Sequence, residues 1–255
     1  MAKTIFNPGD DFKVAVAIGA ISGVEGGSWY CRASSLAADT QVIIGRSSNT
    51  LLLPPNAGET IEINSTDANN AGAIIDMEVL DVNFQRVYPR VTIGAAGNYP
   101  VLHPTTGLPL LVTRVNSAVN RGLRGTGEIT TAMNIRSVTV PANVYGVIGL
   151  AQEMQQGVRT VPAGYSMVVQ AISGIMLKSA GTETSVDFSL EGGAIGNVLR
   201  QFFTFGTQRG GTSANNYVNY DNGRIPGGVD LVLRATPGAA SADVAARMAF
   251  ILVKD

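Results

Sequence analysis

Alternation of apolar and polar positions dominates the chain. Val14, Val16 and Ile18 fall on one side of an extended segment, with Ala15 and Ala17 on the other. Ile61 and Ile63 alternate with Glu62 and Asn64, Ile75, Met77 and Val79 with Asp76, Glu78 and Leu80, and Val186, Phe188 and Leu190 with Asp187, Ser189 and Glu191. Successive side chains of a strand point to opposite faces, so this period of two predicts strands with one wet and one buried face. Four other runs are apolar almost throughout: "VYGVIGLA" (144–151), "SMVVQAISGIML" (166–177), "DLVLRA" (230–235) and "MAFILV" (248–253). They predict inner strands, or strands covered by a partner chain.

Turn signals separate these runs. "NPGDD", "PPNAGE", "NRGLRGTG", "VPAGY", "EGGAIGN", "QRGGTSANN", "DNGRIPGG" and "TPGAAS" place Gly and Pro where the backbone must reverse. Short strands at this spacing predict an all-β chain, an antiparallel β-sandwich or jelly roll with little helix. The best helical candidate is "IGLAQEMQQGV" (148–158), where a Gly follows Gln156. "SSLAADTQ" (34–41) and "ASADVAARM" (240–248) are weaker ones. The loop-rich stretch 94–130, with one strand at "PLLVTRV", puts a boundary near residue 131. Residues 1–130 would form one β module with an extended arm at about 1–13, and residues 131–255 a second, sandwich-like module. A single jelly roll carrying the arm is the competing arrangement.

The stretch "NSTDANNAGAIIDMEVLDVNFQRVYPRVTI" reads as a polar loop feeding a hairpin. Strands over 74–80 and 86–93 would be joined by "DVNF", with Asp81 and Asn83 in the turn and Phe84 returning to the core.

Composition narrows the function more than the fold. Of 255 residues, 45% are hydrophobic, enough for a sizeable core, and only 15% are charged, against roughly 25% in ordinary soluble domains. The balance is made up by Gly, Ser, Thr, Asn and Ala, a surface that suits packing against neighbours. Net charge is −1 and no basic cluster exists, so the sequence predicts no nucleic-acid partner. No apolar run reaches the roughly 18 residues of a membrane span, and no signal peptide is recognisable at the start, which implies synthesis in a cytoplasm.

Candidate chemistry is sparse, and the sequence predicts no enzyme, no catalytic residue, no cofactor and no metal. His103 is the only histidine and Cys31 the only cysteine, so neither a His/Cys zinc site nor an intrachain disulfide can be assembled. Cys31 reads as a small buried hydrophobe. His103, in "VLHPTTG", falls in a loop without a neighbouring nucleophile. Asp10, Asp11, Glu25 and Asp39 have no metal-loop spacing. "DVN" (81–83) begins like a calcium loop but lacks the later ligands, the Gly and the closing Glu. "RGLRGTG" (121–127) has the wrong glycine spacing for a phosphate loop, so Arg121 and Arg124 read as a solvated pair. Asn64-Ser65-Thr66 is a glycosylation sequon without a secretory signal. Trp29, beside Tyr30 in "GGSWYC", reads as an anchor into a core or interface rather than a sugar shelf.

A resemblance is carried by several segments in order. "INSTDANNAGAIIDMEVLDVNFQRVYPRVTI" resembles a Ser/Thr/Asp/Ala-rich lead, a strand, a "G-L-D-x-[NDA]-[WYF]" turn and a second strand. Leu80, Asp81, Asn83 and Phe84 match that turn, while Val79 stands where the pattern has Gly. "RVNSAVNRGLRGTGEITT", "RTVPAGYSMVVQAISG", "RIPGGVDLVLRAT" and "MAFILVKD" follow in the same order, so that residues 57–255 resemble virion structural proteins of tailed bacteriophages. The resemblance implies a non-enzymatic, multimeric all-β virion component. Within that class a capsid-surface decoration (cement) protein is expected, a homo-oligomer, taken as a trimer, bound to the major capsid protein or other virion proteins. A neck, tail, baseplate or head-fibre component is the alternative, and a carbohydrate-binding β-sandwich module is the alternative from another class.

Overall fold

The computed structural model describes residues 21–46, 50–122, 127–179, 185–207, 224–238 and 241–255. The expected arm at 1–13, the alternating run 14–20 and Arg124 lie outside them. The described chain is all-β, as the alternation predicts, and its strands form four small antiparallel sheets in a propeller-like ring rather than a clear jelly roll. Sheet I is ordered β1 (Val24–Leu36), β17 (Ala242–Lys254), β13 (Tyr165–Ser179). Sheet II is ordered β11 (Val144–Ile148), β10 (Met133–Ser137), β3 (Glu59–Ser65), β7 (Gly97–Pro100), and β8 (Leu111–Val112) also pairs with β3. Sheet III is ordered β12 (Val158–Thr160), β16 (Val229–Pro237), β14 (Val186–Ala194), β15 (Arg200–Thr207), with β2 (Val42–Ile43) on β16. Sheet IV is ordered β5 (Arg86–Val87), β4 (Ile74–Leu80), β6 (Arg90–Thr92), with β9 (Arg114–Asn120) on β4. A 3-10 turn, Ala68–Asn70, is capped by the Asp67 side chain. Among the described residues no helix is long and apolar enough to cross a membrane.

The alternating apolar residues go where their period sends them. Ile61 and Ile63, Ile75, Met77 and Val79, and Met133 and Ile135 are buried together between sheets II and IV. Trp29 and Cys31, Val186, Phe188 and Leu190, and Val244, Ala246, Met248 and Phe250 form a second core between sheets I and III. One close approach shapes that core. A Cβ on Gly174 would stand 2.5 Å from the Phe188 ring, so the absent side chain lets the ring lie flat on β13.

The two cores group strands from both sides of residue 131. β10 pairs with β3, and β1 pairs with β17 along Val24–Leu36. None of the three helical candidates is a helix. Residues 148–158 leave β11 at Ile148, turn at Gly149–Gln152 and enter β12; Gln152 sits at φ +67, which no right-handed helix accommodates. Residues 34–41 hold the end of β1 and a turn, and 242–248 lie in β17. The hairpin at 74–93 forms, with its second strand split into β5 and β6 around Tyr88–Pro89. Asp81 accepts the N–H groups of Asn83 and Gln85 through Oδ1, as a turn residue. Phe84 does not return to the core. At φ +57 its half-buried ring lies 5.4 Å from the Arg114 guanidinium.

Between the two cores runs a polar seam, where β12 at the edge of sheet III meets β9 and β4 of sheet IV. Arg114 holds Asp230 in a bidentate pair, Nε to Oδ1 at 2.8 Å and Nη2 to Oδ2 at 2.9 Å, with side chains only 3% and 7% exposed. Its remaining N–H groups donate to the Pro54 and Thr113 carbonyls and to Asn56 Oδ1, so all five donors are used. Arg159 donates from Nη2 to both Glu78 oxygens and lies 4.7 Å from the centroid of the Phe250 ring. A β-bulge on β9 leaves Asn116 without a partner residue on β4. Its side chain instead bonds the Thr160 backbone, donating to the carbonyl at 2.9 Å and accepting the N–H at 2.8 Å. Removing one member of a buried pair strands the other charge, at about 3–5 kcal/mol. Arg114→Met is therefore expected to lower the unfolding free energy in urea by that amount, and Arg114→Met with Asp230→Leu to recover most of it. A loss below ~1 kcal/mol for the single variant, the level of a surface pair, would show that the seam does not hold the halves together.

Candidate functional site: the recess beside β1

A recess of about 440 Å³ lies between the outer edge of β1 and the outer face of sheet IV. Residues 25–30 of β1 form one wall, Glu78, Arg86, Tyr88 and Ser117 face them, and Arg159 and Phe250 also line it. A hollow of about 480 Å³ on sheet IV, around Asp76, Arg90 and Arg121, shares Glu78, Tyr88 and Ser117 with it.

Arg86, Arg90 and Arg159 beside the recess are each paired with a carboxylate, and the buried Nε of Arg159 has no hydrogen-bond partner among the described residues. Arg86 donates from both terminal nitrogens to Glu25, at 2.6 and 2.7 Å, and stacks 4.2 Å from the Tyr165 ring centroid. These hydrogen bonds hold the Glu25 carboxyl below its ordinary range against the opposing effect of burial. Arg90 does the same to Asp76, bonding both carboxylate oxygens, with Arg121 a looser neighbour at 3.7 Å. The Tyr88 phenol is pushed up by burial, then by the Glu78 charge. Such ion pairs fix the walls and leave their carboxylates ionised, poor at accepting a proton near neutrality.

What the recess offers is backbone. Odd-numbered residues of β1 bond β17, as the bond from Lys254 N–H to the Gly23 carbonyl sets the parity. The even-numbered peptide groups face away from the sheet. Val24 N–H is taken by the Ile21 carbonyl at 3.4 Å and Arg32 N–H by the Gln155 carbonyl at 3.2 Å. Between them the N–H and C=O groups of Gly26, Ser28 and Tyr30 have no backbone partner among the described residues. Gly26 and Ser28 are exposed and carry little or no side chain, so another backbone can come close.

Of the residues weighed from sequence, Trp29, Tyr30, Glu25 and Arg121 line the recess, the other described ones fall elsewhere, and Asp10, Asp11 and Arg124 lie outside the described residues. Trp29 is buried, its indole N–H donating to the Gln156 carbonyl at 2.8 Å, and anchors β1 in the core as expected. Cys31 is fully buried, its thiol directed at the Ala246 carbonyl and pushed up by burial. His103 sits in the turn before β8, where Nδ1 accepts the Thr105 N–H. Asn64 bonds Asn98 across sheet II. Among the described residues no group of three or more His, Cys, Asp or Glu could hold a metal ion. The sequence reading passed over Gly26, Ser28, Arg86 and Tyr88. The available signal was "EGGSWYCRA" itself: Trp29, Cys31 and Ala33 alternate, and the Gly pair ahead of them marks a strand that another backbone approaches.

The Glu25–Arg86 pair has a definite pH signature. Because the folded form lowers the Glu25 pKa, the unfolded chain binds more protons in acid. The pair's contribution is complete above the ordinary glutamate pKa of about 4.3 and is lost as pH falls through the lowered value. In urea unfolding from pH 7 down to about pH 3, Glu25→Gln is expected to flatten the acid loss of stability relative to the parent protein. Identical acid slopes would remove the pair from the account.

No family model matches the chain, and no curated protein matches it.

Proposed function

We propose that the protein is a structural component of a tailed-phage virion, a decoration protein that works by assembling on a shell through many modest contacts. The observation that carries this reading is an exposed apolar row crossing one end of sheet II. Leu111 and Val138 flank Thr60 from the two neighbouring strands and are 46% and 44% exposed. Cross-strand neighbours of this kind project to one face. Val82 adjoins the row beside Gly58 and Leu111, Leu102 and Leu108 stand on the loop entering β8, and Val140 follows Val138. A contiguous apolar patch rimmed by polar residues marks a surface that meets another protein. The two cores read as two β-sandwich modules held rigid by the seam, a suitable platform for such a patch. The low charge of the chain fits repeated packing, in which symmetry and avidity multiply weak interfaces. The resemblance to virion proteins points the same way and supplies the partner, the major capsid protein or a neighbouring virion protein.

The test is binding to preassembled capsids by co-sedimentation. Parent protein is expected to pellet with the shells, and Leu111→Asp with Val138→Asp to lose at least ~10-fold in affinity with an unchanged circular dichroism spectrum. Parent protein that stays in the supernatant with shells and with tails would overturn the reading.

A further inference from the structure

We propose that the recess beside β1 and the adjoining hollow on sheet IV form one groove, and that this groove binds a neutral oligosaccharide. The proposal is independent of the assembly reading above, since none of its residues belongs to the apolar row on sheet II.

The groove is continuous because the recess and the hollow share Glu78, Tyr88 and Ser117. Both lie against the outer face of sheet IV. Glu78 stands opposite Ser117, and Asp76 opposite Val119, across β4 and β9. Met77 and Ala118, between them, turn to the core. Volumes of about 440 and 480 Å³ each fall within the roughly 300–1,000 Å³ of small-molecule sites. Two such hollows meeting at shared residues suit a chain of rings better than one compact ligand.

Charge excludes the obvious competitors. In the recess Glu25, Glu78 and Glu153 stand against Arg86, Arg121 and Arg159, and in the hollow Asp76 and Glu78 stand against Arg90 and Arg121. An anion or a cation entering this balanced set gains no net attraction. A neutral, hydroxylated ligand needs none. The ion pairs hold planar carboxylates and guanidinium groups in place, so a ligand does not have to order them on binding. Glu25 accepts one bond at each oxygen from Arg86, and a carboxylate has about four acceptor sites. The rest are available to hydroxyl donors.

One donor calls for an acceptor of the same kind. Arg159 lines the recess and gives Nη2 to the Glu78 carboxylate. Its buried Nε has no hydrogen-bond partner among the described residues. A sugar hydroxyl oxygen takes that bond without bringing a charge into the recess.

Tyr88 supplies the apolar surface. Its side chain is 57% exposed where the two hollows meet, with the Arg86 guanidinium 5.8 Å from the ring centroid. Pro89 follows it and confines the Tyr88 backbone to extended conformations. The Pro89 carbonyl accepts the Met77 N–H at 3.0 Å, which ties the segment to β4. A sugar ring carries C–H groups on its faces and hydroxyls round its edge, and so matches an aromatic face set among fixed polar groups. Trp29 is buried and cannot serve as such a shelf. Tyr88 takes that place.

The experiment screens the full-length protein on an array of neutral and uronic-acid-containing oligosaccharides. Titration calorimetry then follows the tightest neutral binder with the parent protein, Tyr88→Ala, Tyr88→Trp and Ser117→Trp. The parent is expected to bind neutral oligosaccharides in preference to acidic ones. Tyr88→Ala is expected to lose at least ~10-fold in affinity with an unchanged circular dichroism spectrum. Tyr88→Trp keeps a ring and is expected to retain binding. Ser117→Trp fills the groove opposite Glu78 and is expected to abolish it. An array blank for every neutral oligosaccharide would overturn the proposal, whatever else the protein binds. Preference for the acidic sugars, or equal affinity in Tyr88→Ala, would overturn it as well. Should Tyr88→Ala fail to fold, Ser117→Trp decides. Protein that pellets with shells and binds no sugar sinks this proposal alone, and protein that binds sugar and never pellets sinks the virion reading alone.

Discussion

The bidentate pair between Arg114 and Asp230 is the constraint around which the structure is arranged. Its two residues lie on different sheets, 116 positions apart in the chain, and both are almost fully buried. A guanidinium and a carboxylate removed from water are tolerated only when every donor finds an acceptor, as they do here through Pro54, Thr113 and Asn56. Such a pair adds little net stability compared with a well-packed apolar contact. It has one geometry that satisfies it, so it sets the register of sheet III against sheet IV. Asn116 repeats the logic with its amide, standing in for a strand residue against Thr160. The two apolar cores supply the driving force of folding, and the seam between them fixes their relation.

The recess follows from that placement. With β12 fixed against β9, Arg159 reaches Glu78 and lies across Phe250, which forms part of the recess lining. On the other side Arg86 ties sheet IV to Glu25 of β1 and stacks on Tyr165 of β13. Sheet I is thereby held at a distance from sheet IV, and the recess lies between them. The ion pairs around the recess are made within the chain, while the buried Nε of Arg159 and, on β1, the outward peptide groups of Gly26, Ser28 and Tyr30 have no hydrogen-bond partner among the described residues.

Much of the strand content was legible. Alternation at 61–63, 75–79 and 186–190 identified both strand and buried face, because burial on one side of a sheet forces a period of two. The Asp81–Asn83 turn was legible from its own side-chain chemistry. Four things were not. The 148–158 stretch has helix-forming residues, but Gln152 at positive φ and the bond from Gln152 N–H to the Gly149 carbonyl belong to a tight turn that composition does not reveal. The partnership of β1 with β17 sets Val24 against Val253, and no local pattern encodes so distant a pairing. Phe84 looked like core by its hydrophobicity, yet a cation far along the chain, Arg114, takes its ring. The recess was illegible for the same reason, since its walls come from β1, sheet IV and β12.

The central claim is that this chain acts by joining copies and neighbours. Sedimentation equilibrium of the purified full-length protein, over concentrations from about 1 to 100 μM, tests it most directly. The account predicts a closed oligomer, a trimer on the virion reading, whose mass is a small multiple of the 26.5 kDa chain. A single species at the mass of one chain across the whole range would contradict it.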